Sequence, residues 1–374
     1  MRVECIKEKL RAAIVSAERA TGKNLALPVL SSILLEAREK SLRVRATNLE
    51  IGVEINIPAK VLEAGTIAVS GALLNNFLGL VADGDVLKLE AVKGNLTVAT
   101  RATNSIVKGV PADDFPTIPR VNGAGSFSLS SEHLVAGLKA TVYSAALSDM
   151  KPEISSVHCY VDENEIVFVA TDSFRLAEKR FSIGKDTRLS EDNEPLSIII
   201  PYRNVLEIIR LFESVVGKVA VQYSKHQISL TSEDEGVYVT SRLVSGLFPN
   251  YQQILVKEKT TEIVVAKQQL LSALKLTNIF ADKLNQVTFK VIPGDGLCEV
   301  SSQSGDVGES ASRLEATVEG EDITIGFNNR YILDCFSSIE EEMLSLALNG
   351  PNRPLTIRGM GDPTFFYLVM PLQR

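Results

Sequence analysis

One eight-residue pattern occurs three times in this chain, and it limits what the chain can become. Val3–Leu10 reads VECIKEKL, Phe127–Leu134 reads FSLSSEHL and Ile263–Leu270 reads IVVAKQQL. Each copy opens with alternating apolar residues (Val3 and Cys5, Phe127 and Leu129, Ile263 and Val265), the period of a strand with one buried face. A polar joint follows, then a leucine (Leu10, Leu134, Leu270), and four positions later another aliphatic residue (Ile14, Leu138, Leu274). That change of period marks a strand feeding an amphipathic helix. The copies start roughly 130 residues apart, the length of a domain rather than of a solenoid repeat.

A second repeat lies inside each third. Ile67–Leu74, Ile198–Leu206 and Ile323–Leu333 again run from a strand through a turn element (Ser70-Gly71, Pro201, Gly326) into helical stretches at Ala72–Val81, Tyr202–Phe212 and Asn328–Ile339. Six strand-to-helix units share 374 residues, about 60 each, enough for one helix and three or four strands. Alternating segments supply those strands: Ser32–Glu36, Ser41–Ala46, Gly52–Ile57, Val86–Ala91 and Leu96–Thr100 in the first third. Ser156–Val161, Ile166–Ala170, Val219–Tyr223, Gln227–Thr231 and Gly236–Thr240 follow in the second, and Gln286–Ile292, Leu297–Ser301, Leu355–Gly359 and Phe365–Val369 in the last. Few helices and many antiparallel strands predict an α+β fold, with the helices on one face of each sheet.

The thirds also end alike, at Phe115-Pro116, Phe248-Pro249 and Met370-Pro371, where proline withholds an N–H from the ladder. Pro119–Ser126 reads as a linker and the Leu255–Thr261 region as a second, charged one. The expected domains are therefore 1–122, 123–254 and 255–374.

Net charge is −7, which argues against coating nucleic acid with the whole surface but leaves room for one local basic face. Charges interrupt any apolar stretch of MRVECIKEKLR, so a secretory signal is not expected and the cytoplasm is. Four scattered cysteines (Cys5, Cys159, Cys298, Cys335) read as buried free thiols, and His133, His158 and His226 lack metal-ligand spacing. GxxxxGK[ST], GxGxxG and GxSxG do not occur, and the carboxylate runs Ser232–Glu235 and Glu340–Glu342 read as solvated. Nothing requires an enzyme, a metal or a cofactor.

Three sheet-bearing domains in a row leave sheet edges at both chain ends. Head-to-tail pairing with a second copy would close six domains into a ring, with helices lining one surface; a monomer with blunted edges satisfies the same pattern. Bases on the helices are Lys7, Lys9, Arg11, Arg19, Lys139, Arg203, Arg210, Lys267, Lys275 and Arg330, diluted by Glu8, Glu132, Glu207 and Asp334. Ala170–Ala177, ATDSFRLA, shares Ala-Thr-Asp/Asn with Ala46–Ile51, ATNLEI, and predicts a turn capped by Asp172 or Asn48; Leu49 and Glu50 stand for Phe174 and Arg175. The apolar end Phe365–Arg374, FFYLVMPLQR, is either a last core strand or one wall of a peptide-sized groove.

With LPVLSSILLEA (Leu27–Ala37), ATNLEIGVE (Ala46–Glu54), PADDFP (Pro111–Pro116), ATDSFRLA, SGLFPNYQQIL (Ser245–Leu255) and the ending YLVMPLQR, the chain resembles the bacterial DNA polymerase III beta subunit family of sliding clamps over its full length. The resemblance implies three tandem clamp domains, each with two helices on one face of antiparallel sheets, in a head-to-tail homodimeric ring. It implies a non-catalytic ring that encircles duplex DNA without reading sequence and confers processivity. Its partners would be the DNA polymerase III alpha subunit, other clamp-binding proteins and an ATP-driven clamp loader.

Carried over residue by residue, the family's pocket for short linear peptides is Thr171, Ser173, Phe174, Arg175 and Leu176, with Pro249, Gln253 and Ile254, and Leu368, Met370, Pro371 and Leu372. Arg175 would offer a fork of donors to the peptide. Ser173-Phe174 stands where the family often has Gly-His or Gly-Tyr, and Gln253 is neutral where the family often has a base. For DNA the resemblance points to Lys23 and Arg203 first, then Lys139, Arg210 and Lys275. The dimer contact expected is the edge near Ser105–Val107 against the Leu274–Leu276 region. Two other readings of the residues remain: a metal-dependent nuclease using the scattered carboxylates, and a monomeric three-repeat adaptor for proteins.

Overall fold

Strand-to-helix joints fall where the repeats place them. The computed structural model describes residues 1–22, 27–82, 84–121, 125–183, 196–255 and 259–372. Three first-type helices, α1 (Lys7–Glu18), α3 (Ser131–Val142) and α5 (Lys267–Asn278), follow the strands Arg2–Ile6, Gly125–Ser130 and Thr261–Ala266 without a gap. The second-type helices α2 (Gly71–Leu80), α4 (Tyr202–Phe212) and α6 (Asn329–Asp334) follow Gly65–Ser70, Ser197–Pro201 and Ile323–Asn328. The expected helix to Ile339 is shorter: α6 ends at Asp334 and a 3-10 turn, Cys335–Ser338, continues it.

The first side chain of a first-type helix is drawn inward, in two of the three to a backbone carbonyl at or just beyond the end of the companion helix. Ser131 Oγ donates to the Phe212 carbonyl at 2.7 Å, and the Lys267 ammonium donates to the Ile339 carbonyl. Lys7 at the same position of α1 is buried. This corrects the expectation that Lys7 and Lys267 lie on an open helix face.

Two compact units make up the chain. The first takes in Met1–Val135 and Arg203–Leu243 and carries one thirteen-stranded antiparallel sheet. Its middle runs Gln227–Ser232, Val237–Arg242, Ile51–Pro58, Ser41–Thr47, Ser32–Arg38 and Gly65–Ser70. A strand of the middle third (Val237–Arg242) thus pairs with one of the first third (Ile51–Pro58), Thr240 opposite Gly52. Glu54 lies buried on this sheet, its carboxylate 3.1 Å from Arg45 Nε and 3.8 Å from Arg43, and paired with Arg120. Arg120 itself stacks 3.8 Å above the Tyr238 ring, and the Tyr238 hydroxyl donates to the Pro119 carbonyl at 2.7 Å. The segment expected to be a linker is therefore clamped at its start.

The second unit takes in Ala136–Ile183, Ser197–Tyr202 and the chain from Val244 onward, with a nine-stranded and a four-stranded sheet. Here Arg175–Ser182 of the middle third pairs with Phe365–Val369 of the last, Leu176 opposite Leu368. Phe168, Phe289, Phe327, Phe365 and Tyr367 are its largest fully buried side chains. The sheets of adjacent thirds are joined by the same antiparallel pairing in both units.

Six strands escaped the periodicity: Lys60–Glu63, Asn104–Val110, Arg175–Ser182, Gly308–Arg313, Ala316–Gly320 and Met343–Leu348. Gly308–Arg313 and Ala316–Gly320 bury no residue, so alternation has nothing to mark. Two of the open sheet edges among the described residues are residues 104–108 and Gly308–Arg313. Residues 104–108 pair on one side only, with Asn95–Ala99, and Ile106 there is 71% exposed. Gly308–Arg313 pairs only with Leu297–Ser304.

Candidate functional site

Two turns, one per unit, have the same hydrogen bonds. In the second unit, Thr171 Oγ1 donates to the Arg175 carbonyl (2.7 Å) and accepts from the Ser173 N–H (3.1 Å). Asp172 Oδ1 accepts from the N–H groups of Phe174 (2.9 Å) and Arg175 (3.0 Å). In the first unit, Thr47 Oγ1 donates to the Ile51 carbonyl (2.9 Å) and accepts from Leu49 N–H (3.0 Å), while Asn48 Oδ1 accepts from Glu50 and Ile51, both at 2.9 Å. Short polar side chains satisfy the turn's own backbone, as the shared Ala-Thr-Asp/Asn predicts. The bonds also correct the alignment by one residue: Ser173 matches Leu49, Phe174 matches Glu50, and Arg175 matches Ile51.

Ser173 and Leu49 hold φ of 78° and 76°, a left-handed conformation that penalises a Cβ. Ser173→Gly is therefore expected to raise the stability of the second unit by about 1 kcal/mol, net of the extra freedom glycine gives the unfolded chain. Urea denaturation checks it; an unchanged or lower midpoint contradicts the strain.

Beside the Thr171–Arg175 turn lies a cavity of about 160 Å³. Thr171, Ser173, Phe174, Arg175 and Leu176 form one wall, Leu368 and Met370 a second, and Pro249, Asn250, Tyr251 and Ile254 the third. Pairing of Leu176 with Leu368, and a bond from Met370 N–H to the Phe174 carbonyl (2.8 Å), bring segments almost 200 positions apart into one socket. Nine of the twelve carried-over residues stand on it.

Gln253, Pro371 and Leu372 do not. A 3-10 turn, Tyr251–Ile254, repeats every three residues, so Tyr251 and Ile254 share the cavity side and Gln253 is left exposed. Past Met370 the chain turns away, and the Leu372 N–H bonds to the Gly326 carbonyl at 2.9 Å. Asn250 and Tyr251 were missed; the spacing of Tyr251 from Ile254 was the available signal.

Arg175 does not present its fork to the cavity either. Its Nε donates to Asp172 Oδ2 at 2.9 Å, a terminal nitrogen pairs with Asp334, and the guanidinium lies 4.5 Å from the Tyr331 ring centre. Two carboxylates and a ring thus hold a side chain only 10% exposed.

Behind the third wall, the Tyr251 hydroxyl donates to buried Glu178 and lies 2.7 Å from the Tyr160 hydroxyl. His158 is stacked between Tyr160 and Phe248, 4.9 Å from each ring, with Nε2 2.9 Å from Ser197 Oγ. Burial lowers its pKa to about 4, well under the ordinary histidine value. The unfolded chain therefore binds the proton first as pH falls. Stability of the second unit should be full above about pH 6.5 and decline towards pH 4, by at most roughly 3 kcal/mol. His158→Gln should flatten that slope in thermal denaturation between those pH values; an unaltered slope would remove His158 as its source.

The first unit has the duplicate cleft, about 220 Å³, lined in part by Leu49, Glu50, Gly52, Thr240 and Arg242. Arg242 N–H bonds to the Glu50 carbonyl at 2.8 Å, as Met370 bonds to Phe174. Yet Gly52 stands for Leu176, Thr240 for Leu368 and Arg242 for Met370, and an Arg242–Glu50 ion pair (3.5 Å) crosses the rim. The scaffold is repeated while its apolar anchoring groups are absent.

Of the carried-over DNA residues, Arg203 and Arg210 are exposed on α4, seven positions apart and so on one face, with Arg210 paired to Glu207. Lys139 is exposed on α3 and Lys275 on α5. Lys23 lies outside the described residues.

Comparison with known proteins matches the DNA polymerase III beta subunit domains in order: N-terminal over residues 1–119, central over 128–250 and C-terminal over 252–373. The beta sliding clamp of Synechocystis sp. is 28% identical, covering 100% of this chain and 99% of its own length; that of Synechococcus elongatus is 26% identical with the same coverage. Among solved structures, the beta subunit of Thermotoga maritima superimposes with a TM-score of 0.91 at 24% identity, over 100% of this chain and 99% of that one. A Pseudomonas aeruginosa sliding clamp bound to griselimycin gives 0.93 at 24% identity, over 100% of both. With all three domains present in order over nearly its whole length, the chain belongs to the DNA polymerase III beta subunit family.

Proposed function

We propose that this chain is a DNA sliding clamp: two copies form a closed ring around duplex DNA, perform no chemistry themselves, and tether polymerase through the apolar cavity of the second unit. The observation that carries this is the ordered match of all three beta subunit domains. A topological hold needs little affinity per phosphate, which reconciles a net charge of −7 with a DNA partner. Exposed Arg203, Arg210, Lys139 and Lys275, with Lys23, would face the duplex and slide along its phosphates.

The open edge of residues 104–108 in one copy and that of Gly308–Arg313 in another suit antiparallel pairing between chains, with Ile106 against exposed Leu276 and Ile279. The domains 1–122, 123–254 and 255–374 would be the ring's six segments. Short linear peptides with apolar anchors, from the polymerase alpha subunit and other clamp-binding proteins, would seat against Leu176, Leu368, Met370 and Ile254. A clamp loader would open the ring. No described helix is long and apolar enough to cross a membrane, and a replication partner is expected in the cytoplasm.

Chain loaded on closed circular DNA should stay bound through gel filtration at high salt and escape once the circle is cut. Release at the same rate from circular and linear DNA would exclude encirclement.

A further inference from the structure

The Phe174 turn and the Met370 segment form two walls of the cavity, joined at their backbones by the Met370 N–H bond to the Phe174 carbonyl, and both are also tied to α6. On the Met370 side, Tyr367 Oη donates to the Tyr331 carbonyl at 2.6 Å, and Leu372 N–H bonds to the Gly326 carbonyl just before the helix. On the turn side, a single side chain makes the tie: Arg175, held by Asp172 within the turn and by Asp334 on α6, over Tyr331. Asp334 does not line the cavity.

We propose that Asp334 is a positioning residue for peptide binding, fixing the Phe174 wall through Arg175 without touching the peptide. The idea rests on the peptide-binding reading of the cavity. Its physical basis is preorganisation. Ser173 keeps the turn in a left-handed conformation that the local Thr171 and Asp172 bonds must hold. An external brace on the turn narrows the placements open to the Phe174 side chain, since the residue is 59% exposed although its backbone is bonded to Asp172 and Met370. A socket already in its bound shape loses less ordering entropy when a ligand arrives. Asp334 is itself 44% exposed, so its pair with Arg175 adds little to global stability, and a loss of binding would not follow from unfolding.

Titration calorimetry of the full chain with griselimycin tests this. Asp334→Asn should weaken binding about tenfold at unchanged melting temperature, and Asp334→Glu should recover most of the loss. Arg175→Ala should weaken it at least as much, and adding Asp334→Asn to Arg175→Ala should cost nothing further, because the second residue acts through the first. Equal affinity of Asp334→Asn and the unsubstituted chain, or losses that add in the double variant, would overturn the positioning role alone. If the unsubstituted chain itself fails to bind griselimycin, the peptide-site reading falls, and this inference with it.

Discussion

With the cavity as the proposed peptide site, a chain ending at Val369 is expected to keep its fold and the proposed dimer, while peptide binding, probed with griselimycin, falls by at least a hundredfold. Val369 is the last residue of the terminal strand, buried opposite Arg175 and Leu355, so the nine-stranded sheet keeps every pairing it has. What goes is the Met370 wall and the bond from its N–H to the Phe174 carbonyl. Losing a buried apolar side chain from a socket costs about 2–3 kcal/mol, which is already roughly a hundredfold in affinity. Freeing the Phe174 turn adds to that. Calorimetry with the truncated chain, alongside its molar mass in dilute solution, measures both halves of the expectation. Affinity within threefold of the full chain would place the peptide site elsewhere. The duplicate cleft of the first unit does not rescue binding, because glycine, threonine and arginine occupy the positions of its apolar anchors.

Glu54→Ala should destabilise the first unit by about 3 kcal/mol, since it leaves the largely covered Arg45 without its carboxylate, while Arg43 keeps Glu36 and Asn56. Arg45 is 15% and Arg43 25% exposed at the side chain, so water replaces the lost partner poorly. Glu54→Gln, which keeps the side chain's shape and one acceptor oxygen but removes the charge, should cost less. Arg120→Ala should cost under about 1 kcal/mol by its charge, because that side chain is 52% exposed, although it also gives up its stack on Tyr238. Urea denaturation ranks the three variants. A Glu54→Ala chain as stable as Arg120→Ala would mean that the buried carboxylate is not the centre of the network.

The pair Glu54 and Glu178 illustrates how far the duplication extends. Each lies three positions beyond the matched residues Ile51 and Arg175, and each is buried on its sheet. Each also binds the segment that follows the closing Phe-Pro: Arg120 in one unit, Tyr251 in the other. Nothing in strand periodicity marks a buried glutamate, because alternation counts apolar residues, and a paired carboxylate inside reads as a solvated one outside.

The amino-acid order by itself determined the fold class, the six strand-to-helix joints and the shared turn, because these follow from local periodicity and from short-range capping; the socket residues were legible only through the family resemblance. Tertiary structure alone decided which way the chemistry points. Arg175 reads as a donor for a ligand until Asp334, 159 positions away, is seen to hold it. Lys7 and Lys267 read as surface charges until Lys7 is found buried and Lys267 bonded to the Ile339 carbonyl. The one-residue offset between the two turns also needed the hydrogen bonds. In each case the deciding partner lies far along the chain, and only the packing of strands and helices sets which groups meet.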